Sequence, residues 1–125
     1  MIVPAFNFLG QTVEVVIERP MGSTHPTHGF LYPVNYGYLP GVPAPDGEDL
    51  DAYVLGVEGP LQRFTGVCVA VIHRLDDDDD KLVVLPPGAQ ITDAEIWEQT
   101  HFQEQFFQSV IIRSGGATGK RGRRG

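Results

Sequence analysis

The chain has 125 residues, 42% apolar and 20% charged, which suffices for one hydrophobic core, leaves no room for two and excludes wholesale disorder. Fifteen glycines and ten prolines break it too often for long bundled helices and imply a β-rich body with many turns. A formal charge of −7 excludes a surface devoted as a whole to nucleic-acid phosphates, and the single cysteine, Cys68, excludes an intrachain disulfide and an all-cysteine metal site.

The N-terminal MIVPAFNFLG has no basic leader, and no run approaches the roughly 18 apolar residues that cross a bilayer. A soluble, cytoplasmic protein with no membrane partner is expected. The first strand is predicted over 11–18, where Val13, Val15 and Ile17 alternate with Thr12, Glu14 and Val16. Next come three tyrosines in seven residues, Tyr32, Tyr36 and Tyr38, which share a face if the backbone is extended. Core packing accounts for each singly; a phenol can equally donate to a phosphate oxygen without adding charge.

Residues 46–51 then hold four carboxylates, Asp46, Glu48, Asp49 and Asp51, just before a strand predicted over 51–57. Crowded carboxylates raise one another's pKa unless cations intervene, and hard divalent ions favour all-oxygen ligation. The alternative is a solvated acidic turn. An EF-hand is excluded because the glycine stands second rather than sixth and no glutamate closes a twelve-residue loop. The run 66–75 contains VCVAVI, apolar throughout and so expected as a central strand, with Cys68 a buried, inert thiol. Five aspartates at 76–80 lead into Lys81 and a strand over 82–85. Alone they suit a mobile turn; beside the first acidic cluster at one barrel mouth they would supply metals with a phosphate-binding lysine.

Thr92-Asp93-Ala94-Glu95 has the capping-box pattern and starts one helix, whose apolar positions are Ile96, Trp97, Phe102, Phe106 and Phe107. A last short strand is predicted over 109–113. The first 112 residues carry four basic and sixteen acidic residues, a net −12, whereas 113–125 hold five basic residues and no acid. The chain therefore divides into a single domain, 1–113, and a flexible, basic, Gly-rich tail, 114–125, the one segment suited to nucleic acid. Gly115 to Lys120 imitates a phosphate-binding loop but lacks its first glycine at 114 and its hydroxyl residue at 121. His25 and His28 have an H-x-x-H spacing, yet Pro26 disfavours a helix and no further soft ligand is local.

YPVNYGY at 32–38, DGEDLDAYVLGV at 46–57 and DKLVVLP at 80–86 together resemble the soluble family I inorganic pyrophosphatases. VVIERP at 15–20 and HFQEQFF at 101–107 extend the resemblance over most of 12–108. It implies a mainly β (α+β) fold, a small five-stranded OB-like barrel with one C-terminal helix. It also implies hydrolysis of pyrophosphate to two phosphates by a metal-activated water, with Mg2+ as cofactor, Mn2+ or Zn2+ as alternatives, and a homo-oligomer. Carried over by position, Asp46, Glu48, Asp51 and Asp79 would hold metal, and Glu48 and Asp51 would be catalytic. Lys81, Tyr36, Tyr32, Glu18 and Arg19 would bind substrate.

Three departures from the family pattern accompany this resemblance. Glu48 stands where aspartate is usual. Between Glu18 and Tyr32 only RPMGSTHPTHGFL is present, in place of a longer hairpin bearing a phosphate-binding lysine and arginine. Phe106 and Phe107 replace a phosphate-binding Tyr-Lys pair. These losses leave three readings open: a pyrophosphatase of reduced activity, a phosphohydrolase for another phosphoanhydride, and a non-catalytic relative that binds metal and a phosphorylated ligand.

Overall fold

Val- and Ile-rich runs set between glycine and proline turns become strands in the computed structural model, which describes residues 4–76 and 79–114 and the backbone of 116–120. After a 3-10 turn at Ala5–Phe8 come β1 (Thr12–Arg19), β2 (Asn35–Pro43), β3 (Asp49–Val54), β4 (Arg63–Arg74) and β5 (Lys81–Leu85). Then follow α1 (Asp93–Glu104), β6 (Ser109–Arg113) and β7 (Gly116–Lys120). The sheet order is β1-β2-β3-β5-β4-β6-β7, and pairing of β1 with β4 closes the first five strands into a barrel. This is the expected mainly β barrel with one helix. No helix among the described residues is long and apolar enough to cross a membrane.

β4 is the central strand that its apolar run predicts. Its twelve residues meet β1 first, then β5 along one edge and β6 along the other. The β3–β5 pairing is parallel and every other described pairing is antiparallel.

Alternate residues of these strands feed two apolar clusters. Val13, Val15, Leu39, Leu50, Ala52, Val54, Cys68, Val71, Leu82 and Val84 come from all five barrel strands and fill its interior. Tyr36, Tyr53, Ile72, Val83, Leu85 and Ile111 belong to the other face, beneath Ile96 of α1 and Tyr32 and Val34 of the β1–β2 connection. Gly37 marks the tightest crossing, where an added Cβ would stand 1.9 Å from the carbonyl oxygen of Val16.

The helix starts as the capping box requires: the Glu95 amide donates to Thr92 Oγ1 at 3.1 Å, and the Thr92 amide donates to Glu95 Oε1 at 2.9 Å. Three local readings change. Asn35–Pro43 is a full strand, where the sequence suggested only extended tyrosines. Phe106 and Phe107 lie beyond the end of α1, which closes at Glu104. Gly116–Lys120 pairs antiparallel with β6, within the segment expected to be a tail; residues 121–125 lie outside the described residues.

Candidate active site

Register across the barrel wall aligns the chemistry. Tyr38 pairs with Asp51, Asp51 with Lys81 and Lys81 with Ile72. The side-chain period of two puts Asp51 and Lys81 on the outer face with Tyr53 and Val83, away from the barrel interior. The acidic loops were expected to meet at a barrel mouth; their functional side chains gather instead on the outer wall.

Lys81 is buried, with a side chain only 4% exposed, and its Nζ donates to Asp51 Oδ2 at 2.6 Å and to Asp79 Oδ2 at 3.0 Å. One ammonium thus joins the two acidic loops. Asp77 and Asp78 lie outside the described residues, and Asp80 is held by His73 Nδ1 at 2.7 Å.

On the Asp51 side, Glu18, Tyr38, Gly47, Glu48 and Asp49 complete the lining of a cavity of about 330 Å³. An all-oxygen donor set of this kind fits a hard divalent cation. Among the described residues no three carboxylate or imidazole groups already stand as a metal cage, so ligation requires side-chain movement. Glu18 and Glu48 are exposed, whereas Asp51 is held by Lys81. Asp46 is exposed and does not line this cavity; its Oδ1 accepts the Glu48 amide at 2.9 Å and turns the loop.

On the Lys81 side lies a larger pocket of about 660 Å³, lined by Tyr36, Arg74, Asp79, Lys81 and Gln103 together with five aromatic side chains. Arg74 was not singled out by sequence, although a lone basic residue ending an apolar strand beside an aspartate run was a signal. It is 4% exposed, and its Nε and Nη2 donate to Glu104 Oε1 and Oε2 at 3.2 and 2.8 Å. Its Nη1 donates to Asp79 Oδ2 at 3.1 Å. Burial pulls this guanidinium down, but hydrogen bonds and charge from Glu104, with Asp79 behind, more than reverse the effect, so Arg74 remains a fixed cation. Its Cζ lies 3.6 Å from the centre of the Phe107 ring. Glu104 is fully buried and also accepts from the Tyr53 hydroxyl at 2.7 Å.

Tyr36 is buried in the wall beneath Lys81, whose Nζ stands 5.5 Å from its ring centre. Burial and then the Asp51 carboxylate hold its phenol well above the ordinary tyrosine value, so it keeps its proton. Tyr32 packs 5.8 Å from Tyr36 between ring centres, and its hydroxyl is 3.4 Å from Gln103 Oε1. Tyr32 lies outside the lining of both cavities. Glu18 joins the acidic cavity, whereas Arg19 pairs loosely with Glu18 at 3.9 Å and stands near Tyr32 and His25. The β1–β2 connection contributes His25 and His28 to the lining of the larger pocket. His25 supplies little charge there: the amides of Thr27 and His28 donate to its Nδ1 at 3.1 and 3.0 Å, and burial, His28 and Arg19 hold its pKa below the ordinary value.

Residues 15–111 match the profile of the family described as inorganic pyrophosphatase. An inorganic pyrophosphatase of Aeropyrum pernix is 32% identical over 94 residues, covering 59% of this chain and 53% of that protein. The chain therefore spans about half the length of the curated relative it matches. An inorganic pyrophosphatase structure from Neisseria gonorrhoeae superposes with a TM-score of 0.58 at 26% identity, over 78% of this chain and 71% of the other. One from Ehrlichia chaffeensis superposes with a TM-score of 0.61 over 88% and 85% of the two chains; at 18% identity it speaks for the fold alone. With the profile covering the barrel from β1 into β6, and with Asp51 of DGEDLD and Lys81 of DKLVVLP in contact across β3 and β5, the chain belongs to the family I inorganic pyrophosphatases.

Proposed function

We propose that the chain hydrolyses inorganic pyrophosphate to two phosphates with divalent cations, Mg2+ foremost and Mn2+ or Zn2+ as alternatives. The observation that carries this reading is the double contact of Lys81 with Asp51 and Asp79, which joins an acidic cavity to a cationic pocket. Pyrophosphate hydrolysis needs both, one to gather cations and one to hold phosphate oxygens in line with the attacking water. When bound, the cations offset the charge of the diphosphate and acidify the attacking water.

Asp46, Glu48, Asp51 and Asp79 would hold the ions, Asp46 through the oxygen not used in its turn. Glu48 and Asp51 would orient the water and receive its proton. The water oxygen bonds to one phosphorus, that phosphorus parts from the bridging oxygen, and the bridging oxygen leaves with the second phosphate. Lys81 and Arg74 would steady the phosphate oxygens, and Tyr36 would donate its hydroxyl without adding charge. Tyr32, Glu18 and Arg19 would complete the substrate side. We further assign the protein as a cytoplasmic homo-oligomer, a state that sedimentation velocity tests.

Phosphate release from pyrophosphate should require divalent metal, stop on chelation and fall about 100-fold or more in Asp51→Asn, since such preorganised groups are each worth that much. Release unchanged by that substitution would sink the reading. A non-catalytic, ligand-binding relative is favoured by one observation: both Lys81 and Arg74 already engage carboxylates. Calorimetric binding of pyrophosphate with no turnover under Mg2+, Mn2+ or Zn2+ would establish that alternative.

A further inference from the structure

The two segments that depart most from the family pattern meet in space. The short β1–β2 connection contributes His25, His28 and Phe30, the stretch after α1 contributes Phe106 and Phe107, and all five line the pocket that holds Lys81 and Arg74. The departures that removed phosphate-binding cations thus built an aromatic wall beside the cations that remain.

That wall is organised on the connection side and open on the other. His28 and Phe30 are parallel to within 6° at 6.2 Å between centres, and His25 lies 4.7 Å from His28. Phe106 is 67% exposed at the pocket's edge, and His28 is exposed as well, while His25, Phe30 and Phe107 are half-buried. Phosphate oxygens have no use for such a surface, whereas a planar ring stacks on it. The pocket's 660 Å³ falls in the range of sites that enclose whole organic ligands rather than an inorganic anion. Because the same pocket carries Lys81 and Arg74, the planar group that fits it is one covalently joined to phosphates.

We propose that this pocket receives the base of a nucleoside di- or triphosphate against Phe106 and His28, with the phosphates on Lys81 and Arg74 and the outermost phosphorus directed toward Asp51. This extends the proposed function and rests on its placement of phosphate oxygens at Lys81 and Arg74. Pyrophosphate then occupies the cationic part alone.

Calorimetry on the full chain with magnesium should compare α,β-methylene adenosine diphosphate with methylenediphosphonate, which has the same phosphonate linkage without the nucleoside. The nucleoside compound should bind at least about fivefold tighter, as a stacked base provides, and Phe106→Ala should erase most of that preference. Equal or weaker binding of the nucleoside compound, or a preference that survives both Phe106→Ala and His28→Ala, overturns the inference. So does a dimer that Phe106→Ala dissociates while the nucleoside preference is absent, because Phe106 then covers a second copy. Pyrophosphate turnover is measured in parallel. Turnover without nucleoside preference removes this inference and leaves the catalytic reading; nucleoside preference without turnover does the reverse; failure of both removes both.

Discussion

Lys81 and Asp51 stand opposite each other in the parallel β3–β5 register, and the 2.6 Å contact between Nζ and Oδ2 is made by a lysine almost wholly withdrawn from water. A buried ammonium so placed serves two carboxylates at once, Asp51 and Asp79, and balances the acidic loops from within the fold.

Lys81→Met should therefore lower kcat/KM for pyrophosphate about 100-fold, within the range for loss of one preorganised electrostatic group. Lys81→Arg should recover part of the loss, because the charge survives while its point of attachment shifts. A phosphate-release assay reads both, and a fully active Lys81→Met protein would contradict the assignment.

The Arg74–Glu104 pair fastens α1 to the sheet through two hydrogen bonds, and the Tyr53 hydroxyl donates a third to Glu104. Removing one member strands a buried charge, so Glu104→Ala or Arg74→Met should each cost about 3–5 kcal/mol in urea unfolding. Replacing both by methionine should cost much less than the two singles summed. Additive losses would mean that the residues do not act as a pair.

Gly37→Ala should destabilise the barrel by about 3 kcal/mol or more, through a displaced β1–β2 contact, and the urea midpoint measures it. The methyl would meet backbone atoms of Val16 and Ile17 at 1.9 to 2.9 Å, where no side chain can rotate away. The same displacement should impair Tyr36 and Tyr38, which flank Gly37 in sequence, so activity should fall together with stability.

Burial pushes the Cys68 thiol up to about 12 from an ordinary value near 9. Above pH 9 the unfolded chain releases a proton that the folded chain keeps, so stability is complete below that pH and declines as the pH rises toward 12. Tyr53, raised by burial and then by Glu104, adds to the decline once pH passes the ordinary tyrosine value near 10. Urea midpoints at successive alkaline pH values should fall accordingly, and Cys68→Ala should remove the earlier part of that fall. A Cys68 thiol that reacts freely with a thiol reagent in the native protein would refute the burial argument.

Much of this architecture was legible in advance because it depends on local signals. Val/Ile runs marked β1, β4 and β5, the Thr92–Glu95 box marked the first turn of α1, and residues 109–113 were read as a strand. β2 was obscured because its four glycines and prolines, Gly37, Pro40, Gly41 and Pro43, resemble a loop until pairing with β1 and β3 holds them extended. Among candidate site residues, crowding and motif spacing pointed to Glu48, Asp51 and Lys81, which the fold brings near one another, and also to Asp46, which does not line the cavity. Arg74 was missed although its place at the end of an apolar strand beside the aspartates was a signal, because its partners Glu104, 30 residues away, and Phe107 are not predictable from that strand. The end of α1 was misplaced for a related reason: Phe106 and Phe107 fit a helical period, but the backbone turns after Glu104.

The parallel placement of β3 beside β5 also sets an order of events. In the chain, β4 is made between them, yet in the sheet it lies beyond β5, so Asp51 and Lys81 meet only after a 30-residue excursion has gone out and returned. A chain still emerging, or one with β5 undocked, carries the 46–51 acids without the ammonium that balances them. The site therefore cannot assemble piecemeal. It appears with the closing of the barrel, and until that step the 46–51 carboxylates repel one another without the counter-charge that the fold supplies.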